Sequence, residues 1–496
     1  MWSEILWGQK SKLVYLLIAS ALMLFTMLGS HEIWTQEHRW ADIVYGMFYR
    51  HDFLHPYLND VNYYDKPLLS YWLIAAFSLL TGEYSTWAMR LPSALAGMLA
   101  IGSIYWLGTN LKDKRMGLLA GWMLLTTYYF VFWARTSSAD MLNLGGIIFA
   151  VAWYFAKKDR PGFWSYSVFF MILAVTSLCK GLVGAVVPVL VILPHLLMNG
   201  EWKKHVRVSF VLATIPAMIV YLLPFWASTY FGGTQYEQSG LYLVYRENIM
   251  RYFQPFDHKG PIYTYFIFLP VYLLPWTLFF IPALFAIKSQ WKNMSVNAKW
   301  MIWAVLLLFV FFTVSGSRRN YYVLPLVPFA ILMTADWILK SAKSNLWAGR
   351  VAILFFAALF LNFDVAQPLY YSFGGQRAFA EKLHVEATKL RACSEWNIVM
   401  LDPESKTRFY LHLSPEVKNY AIHGGRNDQT EESLRQAWPV LNEKQNNMIF
   451  VSREMYEPIL KNMLQNYDVV HTPPSLGERV LGIKNMNAPV AFIPRQ

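Results

Sequence analysis

Long apolar runs recur along the first three quarters of the chain, and each is long enough to cross a lipid bilayer. A helix rises about 1.5 Å per residue, so a run of about twenty residues spans the hydrocarbon core. Backbone polar groups inside a bilayer need internal partners, which favours helices. The runs therefore predict a polytopic α-helical membrane protein. The predicted spans cover residues 13–30, 88–110, 116–134, 140–156, 163–179, 182–198, 206–230, 262–287, 298–315, 320–340 and 347–368.

The composition agrees with this fold class. The chain is 56% hydrophobic and 17% aromatic, and only 15% of its residues are charged. Its net charge of +12 is attributed to loop lysines, because no basic block stands on a soluble domain as nucleic-acid binding would require. The two cysteines, Cys179 and Cys393, are too few for a disulfide framework or a zinc site.

The lysine-rich loops predict which side of the membrane each loop faces. If the N-terminus lies in the cytosol, all five basic loops do as well. These loops are "KDKR" at 112, "KKDR" at 157, "EWKKHVR" at 201, "KSQWKN" at 288 and "KSAKSN" at 340. This assignment requires that the short apolar run 67–80 does not cross but forms an interfacial or re-entrant helix. It predicts about eleven spans, with the first apolar run retained as a span.

The sequence changes character near residue 370. Short β-like runs ("NIVML", "MIFVS", "YDVVHT", "RVLGI") alternate with helix-like stretches ("QRAFAEKLHVEATKL", "EESLRQAWPVL"). Residues 371–496 are therefore predicted to form a small α/β domain outside the cytosol. Residues 1–370 are predicted to form the membrane domain, with an external loop at 31–87 that carries juxtamembrane helices.

Ionisable residues stand at the predicted external ends of the spans, and such groups tend to face a cavity or a partner. The candidates are Glu37, Arg39, Lys66, Arg135, Asp140, Lys180, Arg251, His258, Arg318 and Arg319. They predict an external polar cavity that binds an anion, most simply the phosphate of a lipid entering from the bilayer. Fixed cations would stabilise such a phosphate as a leaving group. Glu37 and Asp140 are candidates for a general base or a metal ligand.

Each candidate also has a structural alternative. Lys66 could extend to lipid headgroups, and the arginines at 318 and 319 could bind anionic lipid or pair with aspartates. Asp140 could cap the fourth span together with Ser137 and Ser138. His258 could be a hydrogen-bonded loop histidine. The absence of a Gly-rich nucleotide loop and of a His/Cys zinc pattern argues against a nucleotide-sugar enzyme.

Six motifs in order resemble the membrane glycosyltransferases of the GT-C fold, in the branch that contains bacterial aminoarabinose transferase and protein O-mannosyltransferases. The resemblance covers roughly residues 10–370. Its motifs are "QEHRWADIVYGMFYRHDFLHPYLNDVNYYDKPLLSYWL", "RLPSALAGMLAIGSIYWLG", "RTSSADMLNL", "CKGLVGAVVP", "YRENIMRYFQPFDHKGPIYTYFIFLPVYLLPW" and "SGSRRNYYVLPLVP".

The resemblance implies transfer of a sugar from a polyprenyl-phosphate carrier to an acceptor outside the cytosol. It assigns acidic roles to Glu37 and Asp140, and phosphate binding to Lys66, Lys180, Arg251, Arg318 and Arg319, with Tyr321 beside them. Gln36, Arg39, Arg135 and His258 are further cavity candidates. Where the family usually has an Asp-Glu pair, this chain has Gln36-Glu37. Either Glu37 or Asp140 then acts as base, or the acceptor is already anionic and needs none.

The expected function is therefore an inverting glycosyltransferase of a bacterial inner membrane, with its active site and C-terminal domain in the periplasm. The expected donor is a polyprenyl-phosphate sugar, such as aminoarabinose, and the expected acceptor is lipid A or another envelope glycan. Alternatives are a protein O-glycosyltransferase or a lipid-linked sugar transporter, although the chain lacks an evident inverted repeat. No cofactor is expected to be required, but Glu37 and Asp140 could share a divalent cation. Membrane lipids are expected partners, and nucleic acid is not.

Overall fold

A computed structural model describes residues 2–34, 36–58, 61–64, 66–198, 200–232, 240–422, 437–442 and 446–495. The chain forms two compact units. The membrane unit comprises Met1–Leu28, Phe53–Pro56 and Asn62–Asp364, and the sheet unit comprises Gly29–Asp52, Tyr57–Val61 and Val365–Gln496. The sheet unit thus includes the N-terminal part of the predicted first loop as well as the C-terminal tail.

The membrane unit is built from α-helices joined by short turns. Its helices are Trp2–Trp7, Leu13–Phe25, Leu69–Thr81, Thr86–Leu111, Lys114–Leu125, Tyr128–Ala134, Ala139–Lys157, Phe163–Lys180, Val183–Met198, Val208–Tyr230, Gly240–Val244, Arg251–Phe253, Thr264–Tyr272, Thr277–Gln290, Val296–Val314, Val327–Leu339 and Ala342–Phe360. Glu201–His205, Trp291–Asn293 and Asn320–Leu326 form 3₁₀ turns, and Tyr245–Met250 and Leu361–Ala366 form π-helical turns.

The predicted polytopic helical fold is confirmed. Within the described ranges, seven helices are long and apolar enough to cross a membrane, or up to nine if each of two bent pairs is one span. The run predicted not to cross forms the 13-residue helix Leu69–Thr81, which is shorter than an ordinary span. Two further short helices, Leu13–Phe25 and Val183–Met198, fall on predicted spans. The number of crossings therefore stays a prediction.

Two spans predicted as continuous are broken. Residues 116–134 contain two helices that meet at 71°, and residues 262–287 contain two that meet at 119°. The first break lies at Thr126. Its hydroxyl donates to the Trp122 carbonyl at 2.7 Å and so satisfies a backbone carbonyl at the end of the helix. The second break lies at Pro275, which has no N–H to continue a helical ladder.

Adjacent glycines let three membrane helices pack closely. A Cβ on Gly145 would lie 2.7 Å from the Ala96 carbonyl oxygen, and a Cβ on Gly146 would lie 2.0 Å from the Thr176 hydroxyl oxygen. The helix Ala139–Lys157 is thereby fitted between Thr86–Leu111 and Phe163–Lys180. Small residues serve this purpose in membrane proteins because they permit close backbone approach. This packing fixes the ends of the helices that carry Asp140 and Lys180.

The sheet unit contains a five-stranded mixed sheet. The chain's strands are β1 (Tyr57–Leu58), β2 (Val61–Asn62), β3 (Asn397–Leu401), β4 (Asn419–Tyr420), β5 (Met448–Arg453), β6 (Tyr467–His471) and β7 (Pro489–Pro494). The strand order is β4-β3-β5-β7-β6. Strand β3 pairs in parallel with β4 and β5, whereas β7 is antiparallel to β5 and β6. This agrees with the predicted small α/β domain.

Helices cover this sheet and complete its core. They are Glu37–Arg50, Gln367–Ser372, Gln376–Leu390, Thr407–Tyr410, 437–442, Glu457–Met463 and Leu476–Leu481, with 3₁₀ turns at Cys393–Glu395 and Glu454–Tyr456. Phe379 and Leu383 of the long helix pack on Ile449 and Val451 of β5. The predicted helix "EESLRQAWPVL" lies partly outside the described residues, and its described end, 437–441, is helical.

One predicted strand is wrong. The run "RVLGI" at 479–483 belongs to the helix Leu476–Leu481 and its C-terminal turn. Ser475 and Glu478 form a reciprocal capping box, and Gly482 ends the helix at φ 67°. The capping residues outweigh the β-propensity of the three apolar residues. Strand β7, the central partner of β5 and β6, was not among the predicted strands.

Candidate active site

The candidate site of the membrane unit begins with an ion pair between two helix ends. Asp140 lies in the first turn of Ala139–Lys157, and the Ser138 hydroxyl caps that helix by accepting from the Asp140 N–H at 3.0 Å. Lys180 is the last residue of Phe163–Lys180, and its ammonium donates to Asp140 Oδ1. Ser138, rather than Asp140, therefore supplies the cap, and the carboxylate is directed to the lysine.

Aromatic rings surround the Lys180 ammonium. Its Nζ lies 5.0 Å from the centre of the Tyr322 ring and 5.9 Å from that of Tyr321. Tyr321 is itself buried, with its ring centre 5.1 Å from that of Trp133. Rings at these distances attract a cation, and this attraction holds the ammonium in place.

The turn after Lys180 is fastened to a separate segment of the chain. Gly181 has a φ of 115°, a conformation that favours glycine, and a Cβ there would lie 2.6 Å from Asn248 Oδ1. That oxygen accepts from the Leu182 N–H at 2.6 Å. The Lys-Gly motif thus needs its glycine both for the backbone and for the approach of Asn248. Asn248 was not among the predicted site residues, although it lies in the quoted motif "YRENIM".

Arg251 is held by two carboxylates. Its Nη1 donates to Glu247 at 2.6 Å, and its Nε donates to Asp257 at 3.2 Å, while Nη2 also pairs with Asp257. Arg246 pairs with the other oxygen of Glu247. The predicted phosphate ligand Arg251 therefore has its positive charge balanced, and Asp257 forms the local pairs that its sequence position allowed.

His258 connects this charged loop to the basic motif. Its Nδ1 lies 3.2 Å from Asp257 and 3.5 Å from the Tyr322 hydroxyl oxygen. Its backbone carbonyl accepts from the Arg318 N–H at 2.7 Å. Burial lowers the pKa of His258, an effect that Asp257 opposes. The positive charges of the cations listed here lower that pKa further: Arg319, Arg251 and Lys66.

The twin arginines differ in what they contact. Arg318 Nη1 donates to the Gly260 carbonyl at 2.7 Å, and its Nε donates to the Thr313 carbonyl at 3.0 Å. Arg318 thus connects the loop to the end of Val296–Val314. Among the described residues it forms no ion pair with an aspartate. Arg319 lies 6.0 Å from the centre of the Tyr321 ring and, among the described residues, forms no ion pair.

Cationic side chains cluster in this region. The cations are Lys66, Lys180, Arg246, Arg251, Arg318 and Arg319, and the described carboxylates of the same network are Asp140, Glu247 and Asp257. Lys180, Arg246 and Arg251 are paired with carboxylates, Arg318 is bonded to backbone carbonyls, and Arg319 forms no ion pair among the described residues. An unbalanced positive charge beside buried aromatic rings is suited to binding an anion.

Arg135 is not part of this network. It is fully buried, and its Nη1 lies 3.2 Å from Asp364. Its guanidinium also donates to the Met23 carbonyl at 2.5 Å and the Thr26 carbonyl at 2.8 Å. These contacts satisfy carbonyls at the end of Leu13–Phe25, which lies far from Arg135 in the chain and was not predicted to contact it. The expectation that Arg135 lines an open cavity is therefore not what its packing supports.

The remaining candidates from the first loop belong to the sheet unit. Glu37 begins the helix Glu37–Arg50, is buried, and accepts from the Trp34 N–H at 2.7 Å through Oε2. Gln36 precedes that helix without a side-chain cap, and Arg39 is half-buried. The catalytic roles predicted for these residues stay predictions.

Comparison with known proteins shows what the chain resembles. The family model for dolichyl-phosphate-mannose-protein mannosyltransferases matches residues 65–227. An undecaprenyl phosphate-alpha-4-amino-4-deoxy-L-arabinose arabinosyl transferase from Pectobacterium atrosepticum is 26% identical over 391 residues, covering 74% of this chain and 67% of the relative. The Shewanella sediminis protein of the same name is 23% identical over 388 residues, covering 76% and 69%.

Solved structures share the fold along nearly the whole chain. ArnT from Cupriavidus metallidurans, bound to undecaprenyl phosphate, superposes with a TM-score of 0.72 at 16% identity, covering 97% of this chain and 99% of that one. The chain has the GT-C fold. An Archaeoglobus fulgidus oligosaccharyltransferase in the apo form has a TM-score of 0.52 at 11% identity, covering 91% and 70%. The resemblance that the six motifs predicted is confirmed.

The sequence left open whether the chain binds a metal ion. Among the described residues, one group of three side chains could hold a metal ion, Glu454, Glu457 and His471 of the sheet unit. The Lys484 ammonium contacts Glu454 there and supplies a positive charge of its own. In the membrane unit the carboxylate of Asp140 already has an ammonium partner. That Glu37 and Asp140 share a divalent cation stays a prediction.

Proposed function

We propose that this glycosyltransferase moves a sugar from a polyprenyl-phosphate carrier to lipid A or another lipid of the cell envelope, with aminoarabinose as the sugar. The observation that carries the proposal is the excess of cations around Lys180, Tyr322 and Arg319 in the membrane unit. The names of the sequence relatives specify undecaprenyl phosphate and aminoarabinose. The superposable ArnT structure holds undecaprenyl phosphate.

The reaction is a substitution at the anomeric carbon of the sugar. The acceptor oxygen forms a bond to that carbon, the carbon–oxygen bond to the carrier phosphate breaks, and the electron pair leaves with the phosphate. Negative charge therefore grows on the phosphate in the transition state. Preorganised cations stabilise this charge, and removing one such contact typically costs about 10²–10³ in rate. Arg319 is the best placed for this task, because no carboxylate in the described part of the chain pairs with it.

The sugar of the donor is expected to contact the carboxylate of Asp140. Asp140 is held beside Lys180 and stays available as an acceptor of hydrogen bonds from sugar hydroxyls through its second oxygen. Gln36 replaces the acid that the family usually has, and glutamine cannot act as a general base. An acceptor phosphate on lipid A is already anionic, so its attack needs little proton removal. The glutamine therefore favours a phosphate acceptor over a hydroxyl.

We further propose that the cation cluster and the sheet unit face the periplasm of a bacterial inner membrane. The support is the distribution of lysines, because the five basic loops lie on one side if the N-terminus is cytosolic. Labelling of single cysteines introduced at positions 66 and 319, compared with positions 157 and 288, tests this. Equal accessibility of both pairs from the same side would reject the orientation.

We propose that transfer needs no metal or other cofactor, because the Lys180 ammonium supplies positive charge beside Asp140. Activity should be unchanged after treatment with EDTA and removal of the chelated ions. Loss of activity that returns with magnesium or manganese would instead support a bound cation.

Reconstituted transfer tests the main proposal. The purified chain is mixed with undecaprenyl-phosphate-linked aminoarabinose and lipid A, and both labelled lipid A and released undecaprenyl phosphate are measured. Arg319→Ala should reduce transfer about 100-fold. Arg350→Ala is the matched control, because Arg350 is exposed and stacks on Trp347 away from the cluster. Equal transfer by both variants would reject the role of Arg319, and no transfer by the unchanged chain would reject the substrates.

A protein acceptor is the second candidate. The matching family model is described as a protein mannosyltransferase, and a solved archaeal oligosaccharyltransferase with a TM-score of 0.51 was captured with an inhibitory peptide. Supplying envelope proteins and lipid A together, with radiolabelled donor, distinguishes the two candidates. Label in protein rather than in lipid would favour the second.

A further inference from the structure

A cavity opens in the membrane unit at the helix ends opposite the Asp140–Lys180 pair. Asp140 and Lys157 are separated by almost the whole length of one helix, about 26 Å at 1.5 Å per residue. The cavity has a volume of about 720 Å³, within the range of about 300–1,000 Å³ usual for ligand pockets. The helices that form its walls are Ala139–Lys157, Phe163–Lys180, Val183–Met198 and Val208–Tyr230.

The cavity wall is apolar and its rim is basic. Phe169, Phe170 and Ile192 are among the apolar side chains that line it, whereas Lys157, Lys158 and Arg207 contribute the positive charges. Lys158 pairs with the exposed Asp159 at 3.4 Å, and Lys157 Nζ lies 5.4 Å from the centre of the Trp153 ring. Arg207 is exposed and forms no ion pair with any part of the chain that the structure describes. Within the described ranges, Lys157 and Arg207 are thus left without a carboxylate partner.

One buried ring nitrogen at the same rim has no hydrogen-bond partner in the described part of the chain. His205 lines the cavity, and its Nδ1 lies 3.0 Å from the Tyr166 hydroxyl oxygen. Its Nε2 is shielded from solvent and has no hydrogen-bond partner among the described residues. If the tyrosine hydroxyl donates to Nδ1, then Nε2 carries the proton and presents a donor. A shielded donor beside two cations is suited to an oxygen of an anionic headgroup.

We propose that this cavity binds an anionic phospholipid from the leaflet opposite the Asp140–Lys180 pair. The acyl chain lies among the aromatic and aliphatic side chains, and the phosphate lies at Lys157, Arg207 and the His205 Nε2. Basic residues near a membrane surface gain about 1 kcal/mol each from anionic lipid. A groove that served only for neutral acyl chains would gain nothing from cations held at its mouth. The charge therefore selects the headgroup, and the apolar wall selects a lipid over a free phosphate.

Native mass spectrometry of the full chain in detergent tests the proposal with two lipids of the same acyl chains. Dioleoyl phosphatidylglycerol should bind about tenfold more tightly than dioleoyl phosphatidylcholine. The double variant Lys157→Glu/Arg207→Glu should lose this preference. Lys288→Glu/Lys292→Glu is the matched control, because both lysines are exposed, lie in another of the basic loops, and do not line the cavity.

A second pair of variants tests the cavity itself. Val211→Trp fills the wall and should weaken binding of both lipids, whereas Ile215→Trp lies one turn farther along the same helix, outside the cavity lining, and should not. Equal affinity for the two lipids, or equal effects of the two charge-reversal variants, would overturn the proposal. Undecaprenyl phosphate is the competitor, and its displacing phosphatidylglycerol at a lower concentration would show that the site takes the carrier lipid instead.

Discussion

Lys180 and Asp140 form an ion pair across the neighbouring ends of two membrane helices, and each side chain is 13% exposed. The pair places a carboxylate and an ammonium next to the rings of Tyr321 and Tyr322. The two residues were predicted for different tasks, acid chemistry and phosphate binding. Their contact means that each side chain holds the other in position.

Replacing Asp140 with asparagine should separate its chemical role from its packing. Asparagine keeps the size of the side chain but removes the negative charge, while Lys180 and its contacts with the tyrosine rings are kept, so binding of the donor phosphate is retained. We expect kcat to fall about 100-fold while the donor KM changes little. Steady-state transfer with varied donor measures both quantities.

The control for this prediction is Asp159→Asn, which removes an exposed carboxylate from the opposite end of the same helix. A tenfold or greater rise in donor KM with unchanged kcat, in Asp140→Asn alone, would show that the carboxylate only positions Lys180. Lys180→Met should show the reverse pattern, with weaker donor binding, because the cation beside the tyrosines is removed.

The buried pair of Arg135 and Asp364 should matter for folding rather than for transfer. Their side chains are 1% and 3% exposed, so removing one partner leaves an unpaired buried charge. Asp364→Ala should destabilise the unit by about 3–5 kcal/mol, whereas Arg135→Met/Asp364→Leu should be much closer to neutral. Thermal unfolding in detergent measures this. The control Arg495→Ala breaks an exposed pair with Asp468 and should cost less than about 1 kcal/mol. An equal loss in Asp364→Ala and Arg495→Ala would contradict the prediction.

Asp42 should make the stability of the sheet unit depend on pH. Burial raises the pKa of this carboxyl to about 7, and the Arg408 charge opposes the rise only in part. The folded state therefore holds a proton that the unfolded state releases near pH 4, so stability should fall as pH rises from about 4 to about 7. Each kcal/mol lost lowers Tm by about 2–4 °C in a domain of this size. Melting curves from pH 5 to 8 test this.

Asp42→Asn has no proton to lose and should flatten the pH dependence while raising Tm at pH 8. Glu381→Gln, at a residue on the long helix of the same unit, is the control and should leave the slope unchanged. A slope in Asp42→Asn as steep as in the unchanged chain would assign the effect to another group.

Much of the fold could be predicted because membrane helices and strands depend on local patterns of apolar residues in the sequence. Apolar length predicted the long helices, and "NIVML" and "MIFVS" predicted β3 and β5. The failures have local physical causes that length and propensity do not capture. A threonine hydroxyl at Thr126 ends one helix, and a capping box at Ser475 turns an apolar run into another.

The candidate site was predictable as a set of residue types but not as a network. Arg251, Arg318 and Arg319 look alike in sequence, yet the structure pairs the first with carboxylates and bonds the second to carbonyls. Which cation keeps its charge unbalanced depends on contacts between distant segments. Asn248 and Tyr322 are needed to hold Gly181 and Lys180, and only the fold brings them there.

His258 should couple donor binding to pH. Burial and the nearby cations lower the pKa of this imidazole below its ordinary value, so it gains its proton at a lower pH than a free histidine side chain does. Protonation adds positive charge beside Arg319, which favours a bound phosphate, while stability falls because the unfolded chain binds that proton more readily. Affinity for undecaprenyl phosphate should therefore rise, and Tm should fall, as pH drops from 7 to 5. His258→Gln should remove both trends, and subtracting its profile removes the titration of the ligand's own phosphate. His384→Gln, on the sheet unit, is the control, and a profile for His258→Gln that matches the unchanged chain would exclude the histidine as the group that titrates.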